Sequence, residues 1–186
     1  MERREAVQYI SLLLGGAVIG APAFLSGCKT KDKASNTFTD KDIAWLNEVA
    51  DTILPATKTP GAKAADVGRF MTVMVNDCYT ESDQQAFHKG MDTLEEEADK
   101  AYGSGFTELQ PAQRHELLVR LDKEQKEFMQ NKKKEEPAHY FRMMKELTLL
   151  GYFTSEIGCT QARRYVERPG RYDGCIPYKK GDKAFA

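Results

Sequence analysis

In several segments between Phe38 and Tyr152, apolar side chains return every three or four positions, the spacing that places them on one face of an α-helix. In FTDKDIAWLNEVADTILP, Ile43, Leu46, Val49, Ala50 and Ile53 share a face, Thr39 or Asp40 can cap the start, and Pro55 follows the end. Val67, Phe70, Met71, Met74 and Cys78 repeat the pattern in a second helix, where Cys78 reads as a small buried hydrophobe. Thr80 with Asp83 offers a variant capping box for a third helix. Its buried stripe is Phe87, Met91, Leu94 and Ala98, and Gly103-Ser104-Gly105 ends it. Pro111 suits the first position of a fourth, continued by Leu117, Leu118, Leu121 and Phe128. Pro137 opens a fifth that carries Phe141, Met144, Leu147, Leu150 and Tyr152. No convincing strand pattern accompanies them. The expectation is an all-α fold: a single domain of about five helices.

Two stretches lack this period. PATKTPGAKAADVG, between the first two helices, holds Pro55, Pro60 and Gly61 and reads as an ordered loop or a rigid connector. The C-terminal ERPGRYDGCIPYKKGDKAFA has no helical spacing, yet it gathers Tyr172, Ile176, Tyr178 and Phe185. It reads as an irregular strap laid over the domain's own core or over a partner.

The chain begins differently. Arg3 and Arg4 precede an uncharged run from Ala6 to Gly27, which ends at Leu25-Ser26-Gly27-Cys28 and turns at once to Lys, Thr and Asp. The run reaches the ~20 residues a bilayer span needs, but Gly15, Gly16, Gly20 and Pro22 weaken it as a helix. A charged start, an apolar centre and a small-residue exit describe an export signal. Leu-Ser-Gly-Cys has the form of a bacterial lipobox, in which the cysteine thiol receives a diacylglycerol and the chain is cut before it. Cys28 is thus expected to be the lipidated N-terminus, placing the protein on the periplasmic side of a bacterial membrane. Arg3-Arg4 resembles a twin-arginine signal for export of folded proteins, although Glu2, Ala6, Val7 and Gln8 depart from the usual context. The organisation read from sequence is a signal over residues 1–27, a polar tether over 28–37 and a helical domain over 38–186.

Charge and chemistry narrow the function. The formal net charge is −1, so nothing drives non-specific nucleic-acid binding. Glycine-rich phosphate loops, a Cys-x-x-Cys-His haem motif and a nucleophile elbow are absent from the sequence. His88, His115 and His139 lie far apart without ligand-spaced neighbours and read as surface helix residues, so no metal site is expected. Glu95-Glu96-Glu97 is acidic, but adjacent side chains diverge around a helix. No catalytic residues are assigned. Cys159 and Cys175 could pair and fix the strap, contributing roughly 3 kcal/mol in the chain-entropy model, although sequence does not place their Cα atoms.

LNEVADTILPATKTPGAKAADVGRFMTVMVNDCY resembles the opening of the gluconate 2-dehydrogenase subunit 3 family, and MKELTLLGYFTSEIGCTQARRYVERPGRYDGCIPY is similar to its close. Lys58 stands where the family's loop commonly carries an acidic residue. The resemblance implies a small, cofactor-free subunit of a periplasmic dehydrogenase that oxidises sugars or sugar acids. It implies FAD in the large subunit and haem c in a cytochrome subunit. It also implies that the small subunit stabilises its folded partner and escorts it through the twin-arginine channel. Pro60, Gly61, Tyr152, Phe153, Arg171, Tyr172 and Tyr178 are the candidate partner interface. The competing expectation is a stand-alone lipoprotein that stacks a sugar on Tyr152, Tyr172 and Tyr178. A lyase or isomerase acting on oxidised sugars is disfavoured by the lack of a convergent acid–base set.

Overall fold

The Thr39 hydroxyl accepts from the Asp42 amide while the Asp42 carboxylate accepts from the Thr39 amide at 2.7 Å. This reciprocal capping box opens α1, Asp40–Ile53. The computed structural model describes residues 37–168, 170–171 and 174–185. Four further helices follow: α2 Val67–Cys78, α3 Glu81–Tyr102, α4 Pro111–Asn131 and α5 Tyr140–Thr154. Short 3-10 turns occupy Ala62–Ala65 and Phe106–Glu108, and a π-helical turn occupies Gly158–Ala162. Among the described residues there is no strand beyond one isolated bridge, and the all-α expectation holds.

Local chemistry sets the ends. Thr80 caps α3 by accepting from the Asp83 amide, and α3 stops where Gly103 takes a left-handed φ of 73°, a conformation glycine adopts without a Cβ clash. Pro111 occupies the first position of α4, as its spacing suggested. The fifth helix begins at Tyr140 rather than at Pro137. Its cap is His139, whose Nδ1 accepts from the Phe141 amide at 3.2 Å. A ring nitrogen can satisfy an orphan N–H as a hydroxyl does, but imidazole caps are absent from the usual sequence signals.

α5 is the central element and packs against each of the other four helices. It buries Phe141, Met143, Met144, Leu147 and Tyr152, together with Thr148 and Gly151. α1 and α2 form the closest pair. They can approach because Gly68 has no side chain: a Cβ there would lie 2.4 Å from the Ile43 carbonyl. The Gly68 amide donates to Asn47 Oδ1 at 2.7 Å across this crossing.

Three expected core residues lie outside it. Leu150 is 46% exposed, because the buried stripe of α5 runs through Thr148 and Gly151, where small residues admit neighbouring elements. Phe128 is 40% exposed on the last turns of α4, its ring meeting only His139 edge-on at 5.4 Å among the described ring contacts. Cys78 ends α2 and is exposed. No helix among the described residues is long and apolar enough to cross a membrane.

Candidate functional site

The end of the bundle where α5 stops is built by three segments. The loop after α1 is held by Thr57 N–H donating to Thr59 O at 2.9 Å and by Ala62 N–H donating to Leu54 O at 2.9 Å. The Tyr152 hydroxyl, near the end of α5, reaches that loop and donates to the Pro60 carbonyl at 2.6 Å. Beyond α5, the Ser155 hydroxyl donates to Tyr152 O and accepts from the Gly158 amide at 3.0 Å, turning the chain into the π-helical turn.

The C-terminal strap then doubles back on itself. Arg164 N–H donates to Ala184 O at 2.8 Å, and the Arg164 guanidinium lies 3.8 Å from the centre of the Phe185 ring. Lys183 Nζ donates to the Gln161 carbonyl. This cation–π clamp closes a loop whose large apolar residues Tyr165, Ile176 and Tyr178 all face solvent, Tyr178 with 75% of its surface exposed. Among the described residues of the strap, these side chains do not pack on the core.

The sequence-derived interface residues divide accordingly. Pro60, Tyr152 and Phe153 are brought together, the Tyr152 and Phe153 rings meeting edge-on at 5.1 Å with Arg163 over Phe153 at 4.8 Å. Tyr152 is 4% exposed and Gly61 is buried, so these two serve the interior. That burial removes Tyr152 as a sugar-stacking platform. Arg171 and Tyr178 are on the surface. Tyr172, Arg3, Arg4, Cys28 and the tether over 28–36 lie outside the described residues. Cys159 and Cys175, the possible pair, are free thiols in this structure, and the Cys159 Sγ sits 3.3 Å from the Phe153 carbonyl. The Arg164–Phe185 clamp was invisible in sequence, because no local pattern links positions so far apart.

Several charged groups of the helical body are paired with one another. Glu95 accepts from the Trp45 indole and from the Phe106 amide at 2.8 Å, whereas Glu97 turns to Arg120 at 3.3 Å. The neighbouring carboxylates diverge, as their adjacency required. Arg114 donates to Glu48 at 2.7 Å and to the Leu109 and Thr107 carbonyls, and Lys63 also donates to Glu48. The Lys63 bond, with Arg114 assisting against partial burial, holds the Glu48 carboxyl below its usual range. His88 stacks on Phe38 at 4.2 Å and His115 is exposed. His139 corrects the expectation of a surface residue: it is buried between Phe128 and Tyr140. Burial lowers its affinity for a proton, against the opposing pull of Glu124 at 3.8 Å. Among the described residues, no group of three or more His, Cys, Asp or Glu could hold a metal ion.

A family model described as gluconate 2-dehydrogenase subunit 3 matches residues 40–170, from the first residue of α1 into the strap. No curated protein and no solved structure matches the chain.

Proposed function

The chain belongs to the gluconate 2-dehydrogenase subunit 3 family, and from that premise we propose that it is the non-catalytic small subunit of an FAD-dependent dehydrogenase acting on sugars or sugar acids. In this reading it binds and stabilises the flavin-bearing large subunit, escorts it during export, and is held at the membrane by lipid on Cys28. FAD, and haem c where a cytochrome subunit takes part, reside in the partners. A flavin enzyme folds around its cofactor before leaving the cytoplasm, so a large subunit without its own signal needs a partner that carries one. Arg3 and Arg4 would be that address.

The observation that carries the reading is the strap. Tyr165, Ile176 and Tyr178 are large apolar side chains presented to solvent by a segment that is clamped at Arg164 and Phe185. Aromatic residues flanked by arginines are the groups that concentrate binding energy at protein interfaces. A subunit whose face is completed by another chain accounts for their exposure. The stand-alone sugar binder loses one of its three stacking tyrosines, since Tyr152 is committed to the Pro60 carbonyl.

The test is co-expression with a signal-less flavin dehydrogenase encoded beside this chain. Affinity capture of this chain should bring down the flavoprotein with its flavin absorbance, and truncation after Arg164 should abolish capture. Flavin bound stoichiometrically by this chain alone would overturn the reading, as would capture that survives removal of the strap for its interface half.

A further inference from the structure

Away from the strap, α1, α4 and α5 leave an open groove of about 310 Å³, near the lower end of the size range of small-ligand pockets. Its apolar lining is Ile53 from α1, Leu118 and Val119 from α4, and Phe141 from α5, and Thr52 and His115 add two polar groups. Leu118 and Phe141 are core residues whose outer edges form the base, while Val119 is 41% exposed along one wall. One side of the groove carries Lys123, Lys126 and Lys145 against a single carboxylate, Asp122.

That carboxylate organises the cations. It accepts from Lys126 Nζ at 2.7 Å and from Lys145 Nζ at 2.5 Å, and the two ammonium groups hold its carboxyl down at about 2. Asp122 thus draws two lysine side chains to the rim. Three lysines over one aspartate leave an excess of two positive charges on that rim. Lys123, one residue along α4, has no ion pair among those the described residues form.

An apolar trough with fixed cations along one wall discriminates among ligands by simple physics. A neutral apolar molecule gains only the floor; a cation is repelled. A polyhydroxy acid of the sugar type would find only Thr52 and His115 beside the charged rim, leaving its other hydroxyls against Ile53, Leu118, Val119 and Phe141, which costs free energy. An anion with an apolar body satisfies both parts. We infer that this groove is a binding site for a single-chain organic anion, a medium-length acyl carboxylate, its chain on Ile53, Val119 and Phe141 and its carboxylate among Lys123, Lys126 and Lys145. The site is separate from the strap, and its test does not depend on the dehydrogenase partner.

The experiment is NMR titration of the full chain, following the methyl groups of Ile53, Leu118 and Val119. The probes are monomeric decanoate, decanol, decyltrimethylammonium and gluconate, each below its micelle concentration. Decanoate should shift those methyls and saturate, binding about tenfold tighter than decanol, the size of one or two surface ion pairs. Decyltrimethylammonium and gluconate should leave them unmoved. The exposed substitution Lys123→Glu should weaken decanoate severalfold while leaving decanol unchanged, and Val119→Glu should abolish both. Equal binding of decanol and decanoate would overturn the inference, as would gluconate shifting the same methyls or decanoate shifting residues elsewhere. A response to phosphatidylglycerol vesicles with none to monomeric decanoate would make this a membrane-docking face and would equally overturn it.

Discussion

The Tyr152 hydroxyl donates a 2.6 Å hydrogen bond to the Pro60 carbonyl, joining the central helix to a loop 92 residues earlier in the chain. Because Tyr152 is buried, its phenol is a tie between segments and no longer a surface available to a ligand. Tyr152→Phe keeps the ring packed on Phe153 and removes only the donor. The expected loss is about 1 kcal/mol, the usual net value of such a bond. Hydrogen exchange should localise the effect, with faster exchange at the Ala62 amide that otherwise donates to Leu54 O. An unchanged denaturation midpoint with unchanged exchange would show that the tie contributes nothing.

The α1–α2 crossing depends on a missing side chain. In Gly68→Ala the new methyl would sit 2.4 Å from the Ile43 carbonyl and 2.9 Å from the Asn47 amide nitrogen, both on a helix backbone that cannot swing aside. Overpacking of this kind costs about 1–3 kcal/mol. Urea denaturation should show a lower midpoint, equivalent to a stability reduced by that amount. A midpoint at or above that of the wild type would mean that the two helices separate freely, contrary to their close packing here.

Stability should fall on mild acidification, and His139 should be the cause. Its Nδ1 must be unprotonated to accept from the Phe141 amide, and burial depresses its proton affinity below the ordinary 6.5. The unfolded chain therefore binds a proton at a pH where the folded chain does not. Stability is complete above about 6.5 and declines as the pH drops through that value toward the folded one. Asp122 and Glu48 act lower, since depressed carboxyls lose their contribution only below the ordinary carboxylate range. His139→Asn retains a cap without the titration. Denaturation at pH 7.5 and pH 5 should give a smaller difference for the asparagine variant than for the wild type, and equal differences would assign the effect elsewhere.

Surface aromatics of the strap should matter to a partner and not to the fold. Tyr178→Glu, at a position with most of its surface exposed, should leave the thermal midpoint of the isolated chain unchanged, because no core packing is lost. The same variant should reduce capture of the flavoprotein by at least about tenfold if Tyr178 is a binding hot spot. Full capture would move the interface away from this residue.

Export offers a separate check on the proposed escort role. Arg3→Lys with Arg4→Lys preserves the charge a general secretory signal uses but not the planar guanidinium pair. In cells expressing both proteins, this chain and the flavoprotein should both accumulate in the cytoplasm. Normal export of the variant would indicate the general route, and export of the flavoprotein alone would remove the escort function. Cys28→Ser should separately abolish lipid attachment, as mass spectrometry of the processed chain would reveal.

The five long helices among the described residues were legible in the sequence because each rests on local terms. A three-to-four residue apolar period, a Thr-x-x-Asp cap and a proline at a first turn act over a few residues, and nothing in the tertiary structure opposes them. The stripe Phe87, Met91, Leu94 and Ala98 is buried throughout for that reason. Family membership was legible as well, since its motifs are contiguous segments. What only the tertiary structure decided is where a periodic face meets a neighbour and where it runs past one. Phe128, Leu150 and Cys78 carry the right spacing but lie beyond or beside the packed stripe, while Thr148 and Gly151 are buried because helices come close there. The Tyr152 hydroxyl meets a carbonyl 92 residues away, a partner that no local spacing names. The Arg164–Phe185 clamp and the lysine-rimmed groove likewise arise from residues far apart in the chain. Local spacing dictates which residues share a helical face; only the assembled bundle, in which backbone approach and distant partners compete for each face, determines what that face touches.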